Sequence, residues 1–195
     1  MVLLRHSRII CGWIKDLFWA GIYASIIIVF IVQAFKIPSG SMRDALLEGD
    51  RILVNKFIFG VKIPWTNIKL PAIRKPKQGD IVVFLYDKEG VKNRKDYVKR
   101  LIATGNQKVE IKKGSVLIDG QPATHQKVLS LWYRNAAPYG LEAQPVIVPE
   151  DSYYVLGDNS FSSKDSRHWG FVPNHNIIGL AFFRYWPLHR IGFLK

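Results

Sequence analysis

The chain has 195 residues, 48% of them hydrophobic and 22% charged, which is the composition of a folded protein and excludes a disordered one. Its 28 Lys and Arg against 15 Asp and Glu give a formal charge of +13 and point to an anionic partner, nucleic acid or lipid headgroups. The single cysteine, Cys11, excludes a disulfide framework and a Cys-rich zinc module, and five scattered histidines with no HExxH pattern leave no metal site to expect.

The first predicted element is a membrane anchor. Leu17–Phe35 (LFWAGIYASIIIVFIVQAF) runs 19 residues without a charge. As a helix it would be roughly 28 Å long, close to the ~30 Å hydrocarbon core of a bilayer. A cleavable signal peptide would have a shorter apolar core of about 7–15 residues and a small-x-small cleavage site. Here the run leads into Lys36-Ile37-Pro38 instead, so a single uncleaved span is expected.

Arg5, Arg8 and Lys15 precede the run against one acid, Asp16. This bias assigns residues 1–16 to a cytoplasmic arm, 17–35 to the anchor and 36–195 to an extracytoplasmic, periplasmic domain on the cell inner membrane. Three of the 28 bases and one of the 15 acids lie before Lys36, so the outer part holds 25 against 14. Outside the cell that charge fits phospholipid headgroups better than nucleic acid. Part of it is also accounted for as a solvated basic face.

Beyond the anchor the pattern becomes strand-like. Arg51–Phe57, Asp80–Tyr86, Tyr97–Thr104 and Lys108–Lys112 are short β-branched or aromatic runs bounded by turn residues. Ser115–Ala123 contains Asp119-Gly120, a pair suited to the positive φ angles of a tight hairpin. Pro145–Val148, Ser152–Leu156 and Ile177–Tyr185 complete the set. Two strands open after Gly-Asp, at Gly49-Asp50 and Gly79-Asp80, which reads as turn chemistry. Lys62–Gln78, with Pro64, Pro71 and Pro76, is at best edge strand, and Leu129–Gln144 is an aromatic loop. The expected fold is mainly β, an antiparallel sheet folded over or a partly open barrel, behind one N-terminal transmembrane helix.

The chemistry is sparse in the residues alone. Ser41 follows Gly40 in Ile37-Pro38-Ser39-Gly40-Ser41-Met42, an arrangement that exposes a hydroxyl but is also ordinary linker sequence. With no His-Asp set and no G-x-S-x-G elbow, the remaining activator for a serine is a lysine kept neutral by burial. In Tyr97-Val98-Lys99-Arg100-Leu101-Ile102, alternation places Lys99 between Tyr97 and Leu101 on one face. Burial there would lower its pKa. Periodicity alone equally describes an edge lysine snorkelling to solvent.

A family resemblance narrows this. Ser39-Gly40-Ser41-Met42 with Leu46 and Gly49-Asp50, Gly79-Asp80-Ile81-Val82-Val83-Phe84, Tyr97-Val98-Lys99-Arg100, and Gly157-Asp158-Asn159 with Ser163, Asp165-Ser166-Arg167 and Trp169-Gly170 occur in that order. Together they resemble the bacterial type I signal peptidases, membrane-bound serine endopeptidases, over nearly all of 37–173. The resemblance implies Ser41 as nucleophile and Lys99 as general base, with Ser39 and the Ser41 N–H forming the oxyanion hole. It implies that Ser163 bonds the Lys99 amine and that Asp165 and Arg167 form a supporting ion pair. Ile37, Met42 and Val98 would line pockets for small side chains.

The implied substrates are the signal peptides of secretory preproteins, cut after Ala-x-Ala. The implied enzyme is a monomer acting without metal or cofactor. Arg43-Asp44-Ala45 stands where the family usually carries Pro-Thr, which predicts a looser, more charged turn beside Ser41. Ser160-Phe161-Ser162 replaces a more polar run and puts its supporting bonds in question. Lys99 and Gly157 are only 58 residues apart, too close for the large accessory β-domain of some members.

Three other readings stand beside this one. The chain could be a processing peptidase dedicated to one secreted or conjugative substrate. It could be an inactive membrane-tethered β-domain that binds secreted partners. A self-cleaving repressor with the same core would need a DNA-binding region, against which Leu17–Phe35 argues. His168 has no evident acid–base role, Trp169-Gly170 reads as packing and turn, and Trp186-Pro187 as a strand stop or an interfacial anchor.

Overall fold

The computed structural model describes residues 2–26, 31–60, 70–86, 95–142 and 144–194, with only the backbone for 2–11. It opens with helix α1 (Val2–Ile26), and the chain then returns as strand β1 (Val32–Lys36). This corrects the expected 17–35 helix. The charged arm and the start of the apolar run form one continuous helix, while Val32–Lys36 pairs antiparallel with β2 (Arg51–Asn55), from Val32 opposite Asn55 to Lys36 opposite Arg51. An apolar, β-branched run suits helix and strand alike, and β2 presents an edge that claims its last residues. No helix among the described residues is long and apolar enough to cross a membrane.

The remaining strands are β3 (Ile81–Tyr86), β4 (Lys95–Thr104), β5 (Lys108–Lys112), β6 (Ser115–Ile118), β7 (Gln121–Pro122), β8 (Val146–Ile147), β9 (Ser152–Leu156), β10 (Val172–Pro173), β11 (Ile177–Trp186) and β12 (Gly192–Phe193). Two short helices, α2 (Gln126–Ser130) and α3 (Ser166–Trp169), interrupt them. An eight-stranded antiparallel sheet runs β1-β2-β11-β3-β4-β9-β10, with β12 added against β11. A four-stranded sheet, β7-β6-β5-β8, fills the interval between β4 and β9. The mainly β, antiparallel expectation is met.

Local chemistry explains the turns. Asp119 (φ 53°) and Gly120 (φ 82°) join β6 to β7, as that pair predicts, and Lys113 (φ 49°) with Gly114 (φ 81°) joins β5 to β6 the same way. Gly49 and Gly79 are left-handed (φ 87° and 90°), and the carboxylate after each accepts a backbone N–H three residues upstream. One turn is thus used twice to start β2 and β3. Trp186 ends β11, as expected. Of the Pro-rich Lys62–Gln78 segment, 62–69 lie outside the described residues and 70–78 form no strand.

Three buried clusters form the core, and the first ties the two sheets together. Ile102, Ala103, Tyr154 and Leu156 of the large sheet pack on Val109, Ile111, Val116 and Ile118 of the small one. Ile37, Met42 and Leu46 sit on Ile52, Val54, Ile81 and Val83. That second cluster anchors the segment carrying Ser41 to the sheet carrying Lys99, at about 25 cal/mol per Å² of apolar surface removed from water.

Candidate active site

Ser41 lies in a single 3-10 turn, Gly40–Met42, entered from extended backbone at Ser39 (φ −143°). Lys99 lies in β4 opposite Val82, with Val98 opposite Val83. Two segments 58 residues apart in sequence therefore meet: Lys99 Nζ donates to Ser41 Oγ at 2.7 Å and to the Val98 carbonyl at 3.0 Å. Ser41 is 8% exposed and Lys99 3%, so Lys99 does not snorkel. Burial lowers its pKa to about 8, the carboxylates of Asp165 and Asp158 acting in the opposite direction. A lysine in that range supplies a free amine near neutral pH, within proton-transfer distance of a hydroxyl.

A cleft of about 140 Å³ opens beside this pair, lined by Ile37, Ser39, Met42 and Val98 together with Lys95 and Asp96. Every sequence-expected pocket residue borders it. Ser39 Oγ is 3.4 Å from Ser41 Oγ, placing a second hydroxyl at the mouth. Lys95 and Asp96 were not among the expected residues; both are exposed on the rim.

Ser163 departs from its expected partner. Its hydroxyl is buried and makes no hydrogen bond among the described residues, while the Lys99 amine is directed at Ser41 and Val98. The Ser163 side chain instead fills the space over Gly157, where a Cβ would come within 2.2 Å of its Oγ. That packing leaves it close to the site without a bond to the amine.

Asp165 and Arg167 do pair, at 2.8 Å for both Nε–Oδ1 and Nη2–Oδ2, with 0% and 1% exposure. Asp165 also accepts from the Gly157 N–H at 3.0 Å and caps α3. Arg167 donates to Ser160 Oγ and to the Arg134 carbonyl, both at 2.7 Å. Ser160 Oγ further accepts from the Arg134 N–H, so the Ser160-Phe161-Ser162 run keeps its supporting bonds.

The Arg43-Asp44-Ala45 turn is likewise closed and not loose. Its backbone bonds run from Arg43 N to Gly40 O and from Leu46 N to Met42 O. Arg43 pairs with Glu48, Asp44 with Lys127, and Arg184 donates to the Ala45 carbonyl. The added charges find partners on neighbouring segments.

Several supports had no assigned role in the sequence reading. Asn159 bonds the Gly40–Met42 turn twice, its N–H to the Ser41 carbonyl and its side-chain amide to the Gly40 carbonyl, both at 3.0 Å. Arg100 and Asp158 form a second buried ion pair. These residues lie in the Tyr97–Arg100 and Gly157–Asn159 motifs, and only the folded geometry shows which bonds they make. Trp169 stacks on Tyr86 at 4.6 Å, and Gly170 turns with φ 85°, as expected. His168 is exposed.

Residues 10–186 match the family described as signal peptidase, peptidase S26. The chain belongs to that family. It is 36% identical over 182 residues to a probable signal peptidase I-2 of Synechocystis, covering 92% of this chain and 75% of that one. It is 33% identical over 192 residues to signal peptidase I of Pseudomonas aeruginosa, covering 81% and 66%. A solved structure of a signal peptidase I from Enterococcus faecalis covers 55% of this chain and 97% of its own, at 28% identity and a TM-score of 0.41. As an S26 family member the protein is a peptidase of the signal peptidase I type.

Proposed function

We propose that this S26 peptidase is a membrane-bound serine endopeptidase that removes signal peptides from preproteins through a Ser41/Lys99 dyad. The observation that carries this reading is the 2.7 Å approach of the Lys99 amine to the Ser41 hydroxyl in a site where burial keeps the amine weakly basic. Neutral Lys99 takes the Ser41 proton as the oxygen attacks the scissile carbonyl. The oxyanion is stabilised by the Ser39 hydroxyl and the Ser41 N–H, each such donor being worth about 2.7–4 kcal/mol. The protonated amine then gives its proton to the leaving nitrogen, and the free amine activates the water that releases the acyl group. Asp165 and Arg167 hold the Gly157 segment against this centre.

A cleft of about 140 Å³ fits methyl-sized side chains, which supports cleavage after Ala-x-Ala. Attachment to the membrane is supported by α1, whose Trp13, Leu17, Phe18 and Tyr23 are each at least 60% exposed. On this reading arm 1–16 is cytoplasmic and the β domain extracytoplasmic, at the cell inner membrane. A monomer needing no metal completes the proposal.

The test uses the full chain in detergent with a preprotein carrying an Ala-x-Ala site, wild type beside Ser41→Ala, the products read by mass spectrometry. Cleavage after the second Ala by wild type alone is expected. Equal cleavage by Ser41→Ala, or none by wild type, overturns the assignment.

A further inference from the structure

Next to the catalytic turn, but outside its cleft, lies a second concavity of about 410 Å³ bordered by Arg134, Lys164 and His168, with Phe161 on its rim. No acidic residue lines it. Arg167, in its wall, is already neutralised by Asp165. Arg134, Lys164 and His168 are all exposed, and none of them is ion-paired among the described residues. The backbone of Arg134 is held on both sides: its N–H bonds Ser160 Oγ, and its carbonyl accepts from buried Arg167. Arg134 and Lys164, with His168 beside them, thus border one hollow, and among the described residues no acidic side chain balances them. An anion is what that arrangement takes.

A second, independent feature adjoins it. Phe161 stacks on Trp132 with ring centroids 5.6 Å apart and planes 12° from parallel, yet Phe161 is 73% exposed and Trp132 55%. A preformed aromatic pair left in water loses most of the burial that its rings offer. Aromatic rings of this kind are favoured where a protein meets the headgroup level of a bilayer. Anion and apolar surface are then required side by side. A phospholipid supplies both, and a free phosphate only one.

We infer that this pocket binds the phosphate of an anionic phospholipid headgroup, with Trp132 and Phe161 resting in the interface beside it. The 3-10 turn Ser160–Ser162 that carries Phe161 packs against the Gly40–Met42 turn, so lipid held there sets the orientation of the cleft to the membrane. The inference rests on the membrane-surface part of the proposed function and is independent of the Ser/Lys chemistry.

The test is hydrogen exchange of 131–136 and 160–164 in the full chain, reconstituted in phosphatidylcholine vesicles with and without phosphatidylglycerol. Phosphatidylglycerol is expected to slow exchange there by about tenfold, and Arg134→Gln/Lys164→Gln to abolish that difference while the protein still floats with both vesicles. Equal protection by inorganic phosphate in pure phosphatidylcholine would reassign the site to a free anion. Protection only by an acidic peptide would reassign it to a polypeptide. Flotation without any phosphatidylglycerol-dependent protection overturns the lipid pocket alone, whereas failure to float with either vesicle overturns the membrane reading as well.

Discussion

Arg100 and Asp158 form a two-pronged ion pair, Nε–Oδ1 2.8 Å and Nη2–Oδ2 2.7 Å, with neither side chain exposed. Each is adjacent in sequence to a residue of the site, Arg100 to Lys99 and Asp158 to Asn159. Arg100 also donates to the Gly79 carbonyl at 2.8 Å, so the pair links β4, the turn before β3 and the segment after β9. Because β alternation turns Lys99 to one face and Arg100 to the other, the two cations are buried on opposite sides of one strand.

Asp158→Asn removes the carboxylate that forms the two-pronged bond with buried Arg100, an effect expected to cost about 3–5 kcal/mol of stability. Replacing both, as Arg100→Met/Asp158→Leu, should cost less than the single change. Denaturant unfolding of the three proteins measures this. Asp158 also raises the Lys99 pKa, so in any Asp158→Asn protein that folds the acidic limb of the rate profile should move to lower pH.

The rate profile itself follows from Lys99. On the proposed mechanism the free amine is the active form, so kcat/KM should rise with pH through an apparent pKa of about 8. A limb near 6.5, the ordinary histidine value, would exclude Lys99 as the base.

Stability has its own dependence on Lys99. The folded-state pKa lies below the unfolded value of 10.5. Burying the ammonium therefore costs about 3 kcal/mol below pH 8, and this cost is relieved as pH rises from 8 towards 10.5. Lys99→Met should abolish cleavage yet raise the unfolding midpoint at pH 7, the gain shrinking by pH 10. Calorimetry at the two pH values tests the sign.

Ser39→Ala removes the hydroxyl 3.4 Å from Ser41 Oγ. A loss of about two orders of magnitude in kcat with little change in KM is expected for an oxyanion donor. A rise in KM at constant kcat would instead assign Ser39 to substrate binding.

Gly157→Ala tests the packing behind Ser41. A Cβ there would lie 2.5 Å from the Ser41 carbonyl and 2.2 Å from Ser163 Oγ. The carbonyl is backbone and cannot yield without moving Ser41. Cleavage should fall by at least about a hundredfold, measured beside circular dichroism to establish that the sheet is intact.

Tyr133→Phe should do the reverse of these damaging changes. The Tyr133 hydroxyl is buried without a partner among the described residues. Its removal is expected to stabilise the fold by about 1 kcal/mol and leave cleavage unchanged.

Much of this was legible in the residues because it depends on local rules. Alternation and turn chemistry located β3, β4 and β9 and the Asp119-Gly120 hairpin, since strand period and positive φ are properties of a few neighbouring residues. The motif boxes, through family resemblance, brought Ser41 and Lys99 forward together. Distances between distant segments were not legible. Val32–Lys36 became β1 only because β2 offered an edge, and no local feature of an apolar run reports that. Ser163 lost its expected bond because Gly157 left room for its hydroxyl elsewhere. The sequence by itself determined a basic, mainly β chain with one serine and one lysine worth pairing. Only the tertiary structure decided that they meet at 2.7 Å in a buried site, because burial is a sum over segments far apart in the chain.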